Sequence, residues 1–208
     1  MYIGISGLAG VGKDLFLKLF SEEISKLHLT CKRFALADEL KNEINPILLS
    51  KHGINIFSCS REQKETVRHL LVSHAKIKRE QTSGRYWINK LEEKIEREQK
   101  PIDFVCITDI RYDEYENDEV SWLKNEKNGI LVHISKYKEV NGKKMFQNPP
   151  NDEEARNDPK LKSQADYKIC WPHMGENSFN PLIRKEILNF SKWISIKHER
   201  KQTTLENH

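Results

Sequence analysis

The sequence predicts an α/β protein built in three layers, a five-stranded parallel sheet flanked on both faces by helices, with a small flap added. Three observations point there. Short apolar runs alternate with segments of helical period along the chain, which is the pattern of βα units. The first run passes into a glycine-bearing loop and then directly into a helical segment. At 208 residues the chain suits one domain with a sizeable core.

Five runs read as strands: Tyr2 to Ser6, Thr30 to Ala35, Phe104 to Asp109, Ile130 to Ser135, and Tyr167 to Trp171. Lys13 to Leu27 carries Phe16, Phe20, Ile24 and Leu27 at spacings of three and four, which gives a helix with one apolar stripe. Further helices are predicted over Asp38 to Lys51, Arg61 to Ala75, Gly84 to Gln99, Glu114 to Lys127, and Pro181 to Lys197. Tyr137 to Pro150 breaks the alternation. There Asn141-Gly142 signals a turn among lysines and Pro149-Pro150 ends the segment, so it reads as an exposed hairpin or flap. Asn151 to Lys162 is charged and poor in apolar residues, and is expected to be a mobile loop. Residues 199–208 form a polar tail expected to fray.

Composition narrows the function classes. Charged residues make up 32% of the chain with a net charge of only +4, the balance of a soluble, mildly basic protein without a dominant field. The lysines are interspersed with acids except in the flap, which argues against a nucleic-acid surface. No apolar run approaches the roughly 20 residues of a membrane span, and the start YIGIS lacks the pattern of a secretory signal. A cytoplasmic protein without membrane partners is expected. The cysteines Cys31, Cys59, Cys106 and Cys170 lack metal-ligand spacing and read as small buried hydrophobes.

GLAGVGKDLF, Gly7 to Phe16, fits the phosphate-binding pattern G-x-x-x-x-G-K-[ST] up to its last place, where Asp14 replaces the hydroxyl residue. The strand before it and the helix after it supply the context the pattern needs, that of a P-loop nucleotide-binding fold. Glycines at 7, 10 and 12 let successive backbone N–H groups of Gly7, Leu8, Ala9, Gly10, Val11, Gly12, Lys13, Asp14 and Leu15 turn inward around phosphates. Lys13 adds a full charge, and the expected ligand is ATP. A carboxylate at 14 can bind Mg2+ directly or through water, because magnesium prefers hard oxygen ligands. It also suits the positive end of a helix dipole, and both roles can hold together.

The run FVCITDIR ends in Asp109 with Arg111 two places on. Ligands of open parallel sheets bind beyond the carboxyl ends of strands, so Asp109 should emerge beside the loop as a second magnesium carboxylate. Arg111 would share the crevice, where a guanidinium suits a phosphate dianion; a local Asp109/Arg111 pair is the plainer alternative.

With the GKD loop, FALADELK at 34–41 and TDIRYDEYE at 108–116 in that order, the chain resembles the phage-type deoxynucleoside monophosphate kinases of the P-loop NMP-kinase-like group. An arginine-bearing helix followed by Tyr86-Trp87, Ile134-Ser135-Lys136 at a lid position, and Ala165-Asp166 before the last strand add to the resemblance. It implies one kinase domain over residues 1–198, with a monophosphate-binding helical region at about 36–100 and a lid at about 136–162. It further implies transfer of the γ-phosphoryl group of ATP, with magnesium, to a small-molecule dNMP or NMP. Lys13 would hold donor phosphates, Asp14 and Asp109 would manage the metal, and Lys136 would be the lid cation. Arg111 with Arg68 or Arg79 would grip the acceptor, and Lys41 and Trp87 would contact it. Read from the residues alone, Lys41 is a surface lysine and Trp87 a packing residue. Leu15, Glu39 and Lys136 stand where the family often has Thr, Pro and Arg. A kinase for another small phosphorylated acceptor, of the dephospho-coenzyme A or phosphomevalonate type, and a nucleotide-dependent regulatory protein stay open, as does a homodimer.

Overall fold

β1 (Tyr2–Ser6) is central because both of its faces can be covered: Ile3 and Ile5 point to one side, Tyr2 and Gly4 to the other. The structure is a computed structural model describing residues 1–173 and 180–206. β1 lies parallel between β3 (Phe104–Ile107) and β4 (Ile130–Val140). β2 (Cys31–Phe34) pairs parallel with β3, and β6 (Tyr167–Pro172) pairs parallel with β4. Five parallel strands therefore run in the order β2-β3-β1-β4-β6.

The sheet has six strands and is mixed, which corrects the expectation of five parallel ones. β4 does not stop at Ser135. It continues to Val140, reverses at Asn141 and Gly142, and returns antiparallel as β5 (Lys143–Phe146). Both turn residues have left-handed φ, 51° and 72°, as the favoured two-residue hairpin turn requires. The expected flap is thus continuous with the sheet.

On one face α1 (Lys13–Ser25) and α7 (Pro181–Glu206) pack through Phe16, Phe20, Ile187 and Phe190 onto Ile3, Ile5, Phe104 and Val132. The other face holds α4 (Arg85–Glu96), whose Trp87, Ile88 and Leu91 meet Val105, Ile107 and Leu131. A separate cluster of Ile44, Leu48, Ile56 and Val67 joins α2 (Leu36–His52) to α3 (Arg61–Gln81). Cys31 and Cys106, on neighbouring strands, bring their sulfurs to 3.3 Å as free thiols.

Several helices depart from their expected bounds. The predicted Glu114 to Lys127 helix is irregular as far as Asp118, then forms the short α5 (Glu119–Ser121) and a π turn over Trp122–Glu126. Asp118 caps α5 through the N–H of Glu119 and also accepts from the N–H of Glu114, which holds the preceding chain in a loop. Asn151 to Lys162 is no loop: α6 (Asp152–Gln164) forms there, capped by Asn151 Oδ1 on the N–H of Glu154 and buried at Asn157 and Leu161. α7 continues through most of the expected tail to Glu206; residues 207 and 208 lie outside the described residues. Among the described residues no helix is long and apolar enough to cross a membrane.

Gly4 sets how closely the π turn approaches the sheet. A Cβ there would lie 2.3 Å from Leu123 Cδ2 and 2.8 Å from Ile110 Cγ1, both on buried residues. Gly4→Val is expected to lose about 1–3 kcal/mol of stability through overpacking. Urea unfolding with an unchanged midpoint would show that this approach is not a constraint.

Candidate active site

The loop from Gly7 to Gly12 joins β1 to α1 and is seated against the middle of β4 and the end of β6. Gly7 has φ +127°, and a Cβ on it would lie 2.3 Å from the carbonyl oxygen of Ile134. Trp171 of β6 donates its indole N–H to Val11 O at 2.8 Å, while Leu8 and Val11 anchor the loop in the core. Gly12 begins α1 without a side-chain cap, so the first N–H groups of that helix have no side-chain acceptor. A helix terminus of this kind attracts anions.

Lys13 folds back so that Nζ donates to Gly7 O at 2.7 Å and Leu8 O at 2.9 Å. Burial and then the neighbouring Arg111 charge hold its ammonium below the usual lysine range, against the opposing charges of Glu154, Asp109 and Asp14. Lys13 therefore lies within the electrostatic reach of all four of these groups. Three contacts cross the loop from the hairpin and α6: Lys136 Nζ donates to Gly10 O at 2.5 Å, Gln147 Nε2 to Ala9 O at 2.6 Å, and the N–H of Ala9 to Glu154 Oε2 at 2.7 Å.

Asp14 is exposed on the first turn of α1 and makes no ion pair among the described residues. Asp109 differs from the free carboxylate expected of it. Its Oδ1 accepts from the N–H of Leu36 at 2.9 Å and its Oδ2 from the N–H of Ala37 at 2.8 Å, so it holds the start of α2 to the end of β3. Burial pushes its carboxyl above the usual range, opposed by those two N–H groups and by Arg111. Arg111 is exposed and, among the described residues, in no ion pair. Asp109 and Arg111 thus do not form the local pair that was the plainer alternative.

One residue here carries no motif. Arg33, on β2, pairs with Asp38 Oδ2 at 2.5 Å and lies in the field of Asp109 and Asp14. Lys41 reaches the other oxygen of Asp38 at 3.3 Å, which sets this predicted contact residue beside the crevice. Only its place near the carboxyl end of a parallel strand could have singled out Arg33.

The remaining predicted contacts lie elsewhere. Arg68 is exposed and pairs along α3 with Glu65. Trp87 is buried, donates its indole N–H to Ala75 O, and packs edge-on to Tyr86. Arg79 is 6% exposed, bound to both oxygens of Asp118 at 3.0 and 2.9 Å and to Glu114 and Glu119, with the Tyr112 ring 3.5 Å from its guanidinium carbon. Its guanidinium is committed to carboxylates, so acceptor contact from Arg79 does not fit this geometry. Glu119 in turn accepts the N–H groups of Arg111 and Tyr112 on Oε2, fixing the backbone from which Arg111 projects.

The residues present fit a phosphate group: the loop amide of Ala9 already donates to an anionic oxygen, that of Glu154, whose charge also acts on Lys13. Among the described residues no group of three or more His, Cys, Asp or Glu side chains could hold a metal. Asp14, exposed on the first turn of α1, would hold magnesium together with ligand oxygens, the way the ion is commonly bound beside phosphates.

No family model and no curated protein matches the chain. A structural comparison pairs it with the crystal structure of shikimate kinase from Aquifex aeolicus vf5, at 15% identity and a TM-score of 0.38, covering 92% of this chain and 95% of that one. A likeness of that degree says nothing about substrate or chemistry.

The Arg79 network yields a stability prediction. Burial pushes the Glu119 carboxyl up to about 8 despite the pull of Arg79. The native state then holds a proton that the unfolded chain gives up. This contribution is full below the ordinary carboxylate pKa and fades as pH rises through about 8. Glu119→Gln is therefore expected to flatten the decline in stability between about pH 5 and 8. Arg79→Met, which leaves buried carboxylates unpaired, is expected to cost about 3–5 kcal/mol at neutral pH. Denaturant titrations across that pH range test both; a parent curve no steeper than that of Glu119→Gln would refute the protonated carboxyl.

Proposed function

We propose that this chain is an ATP-dependent kinase that transfers the γ-phosphoryl group to the phosphate of a (deoxy)nucleoside 5′-monophosphate, giving ADP and the diphosphate. The observation that supports it most is the placement of Lys13 on the first turn of α1, directly after a loop that turns on three glycines and an uncapped helix N-terminus, with Arg111, Asp109 and Asp14 within its electrostatic reach. An acceptor phosphate is already an anion at neutral pH, so an acceptor oxygen can attack the γ-phosphorus, and the bond to the ADP oxygen breaks, without a strong base. What the reaction needs is alignment and neutralised charge.

Lys13 and the loop N–H groups would hold the donor phosphates, and Lys136 would bring a further cation from the hairpin. Magnesium, held by Asp14, would neutralise phosphate charge. Asp109, by tying α2 to the strand end, would keep Asp38, Lys41 and Arg33 at the acceptor side. Arg111 would grip the acceptor phosphate in place of Arg79. A nucleoside monophosphate is favoured over other phosphorylated acceptors by the order of the GKD, FALADELK and TDIR segments along the chain. The reading is of a cytoplasmic enzyme with small-molecule partners, and it requires no nucleic acid, membrane or second copy.

ADP release should be measured with ATP, magnesium and each common dNMP and NMP in turn. Turnover dependent on one or more monophosphates is expected, with Lys13→Ala and Arg111→Ala each reducing it at least about a hundredfold. Near-normal turnover in Lys13→Ala would sink the assignment. ATP binding without turnover on any monophosphate would point to another acceptor or to a regulatory protein.

A further inference from the structure

We propose that Glu154 occludes the phosphate loop, its carboxylate taking the place of a phosphate oxygen on the N–H of Ala9 until nucleotide displaces it. The inference rests on the reading of the loop as a phosphate site and adds to it a built-in competitor from the same chain.

Among the described residues, Glu154 is the acidic side chain that reaches a loop N–H, at 2.7 Å. Its charge also acts on Lys13. A carboxylate oxygen and a phosphate oxygen make the same demands on an N–H donor beside a lysine, and one donor cannot serve both. A triphosphate entering the loop would also meet a like charge. Binding therefore requires Glu154 to leave.

Its position is prepared by the local fold. The N–H of Glu154 donates to Asn151 Oδ1 at 2.9 Å, which fixes the first turn of α6. The far part of the helix is anchored by Leu161 in the core, and a hydrogen bond between His133 Nε2 and Asp158 Oδ1 at 3.0 Å holds its middle. Gln147 and Lys136 bind the carbonyls of Ala9 and Gly10, so the hairpin closes over the loop from the same side. Pro159 lies inside α6, between Glu154 and Leu161. Having no N–H, it cannot bond the carbonyl of Ala155, but the buried Asn157 and the His133–Asp158 contact keep the turns before it in place, so Glu154 leaves the loop by a change of its own side-chain rotamer.

The consequence is quantitative. If the binding-competent loop is only a fraction of the population, apparent affinity is reduced by that fraction, and removing the competitor restores it. Magnesium-ATP and magnesium-tripolyphosphate should be titrated calorimetrically into the full chain and into Glu154→Ala, Glu154→Gln and Asp152→Asn. Asp152 is exposed in the same turn and controls for the loss of one charge. Hydrogen exchange at the Ala9 amide should be followed without ligand. Expected are binding on the order of tenfold tighter in Glu154→Ala, a smaller gain in Glu154→Gln, parent-like binding in Asp152→Asn, and faster Ala9 exchange in Glu154→Ala. Parent binding with equal or weaker affinity in both Glu154 variants would overturn the occlusion and leave the phosphate site standing. Failure of every protein to bind either polyphosphate would overturn the phosphate site and the occlusion with it.

Discussion

The loop between β1 and α1 has to approach the backbone of β4 more closely than any side chain allows. That contact, Gly7 against the carbonyl of Ile134, governs the surrounding arrangement. It requires β4 beside β1, and β6 beside β4, so that Trp171 can close the far side on Val11. It also decides where α1 begins, since Gly12 and Lys13 follow without a free turn between. The loop is thereby held between the middle of β4 and the end of β6. The carboxyl ends of β2 and β3 then supply the facing charges.

A second constraint works at a distance from that surface. Arg79 collects Asp118, Glu119 and Glu114 into a buried knot joining α3 to the segment after β3. Such a knot is a weak contributor to stability and a strong one to geometry, because any misplaced member strands a buried charge. Through Glu119 it dictates the backbone at 111 and 112, and so the direction of the exposed Arg111. The arginine inside the protein and the arginine at its surface are thus parts of one construction.

The loop, the five parallel strands and the paired position of Asp109 and Arg111 were legible in the sequence because each rests on local pattern: apolar alternation, glycine spacing, charge at a strand end. What escaped depends on contacts between distant segments. α6 has a single inward leucine at the core, so hydrophobic periodicity could not reveal it; its evidence is Asn151 as a cap and burial against other elements. Arg79 sits at a position where a surface arginine looks the same in sequence, and only the arrival of Asp118 and Glu119 buries it. Asp109 appeared as a free carboxylate because nothing local foretells that the amides of Leu36 and Ala37 will meet it. The hairpin at Asn141-Gly142 is legible from its turn, but that its first strand continues β4 is not, because the lysines disguise a strand that runs on.

Trp171 closes the far side of the loop with its indole N–H bonded to the backbone of Val11, and a Cβ on Gly12 would lie 3.0 Å from its ring. An indole is the strongest chromophore a protein owns, and its excited state responds to hydrogen bonding and to nearby charge. The molecule therefore carries an optical probe against the underside of its own ligand loop, away from any ligand that loop would hold. Since the chain holds three other tryptophans, a rearrangement of the loop backbone is read without a label as the part of the emission change that Trp171→Phe removes.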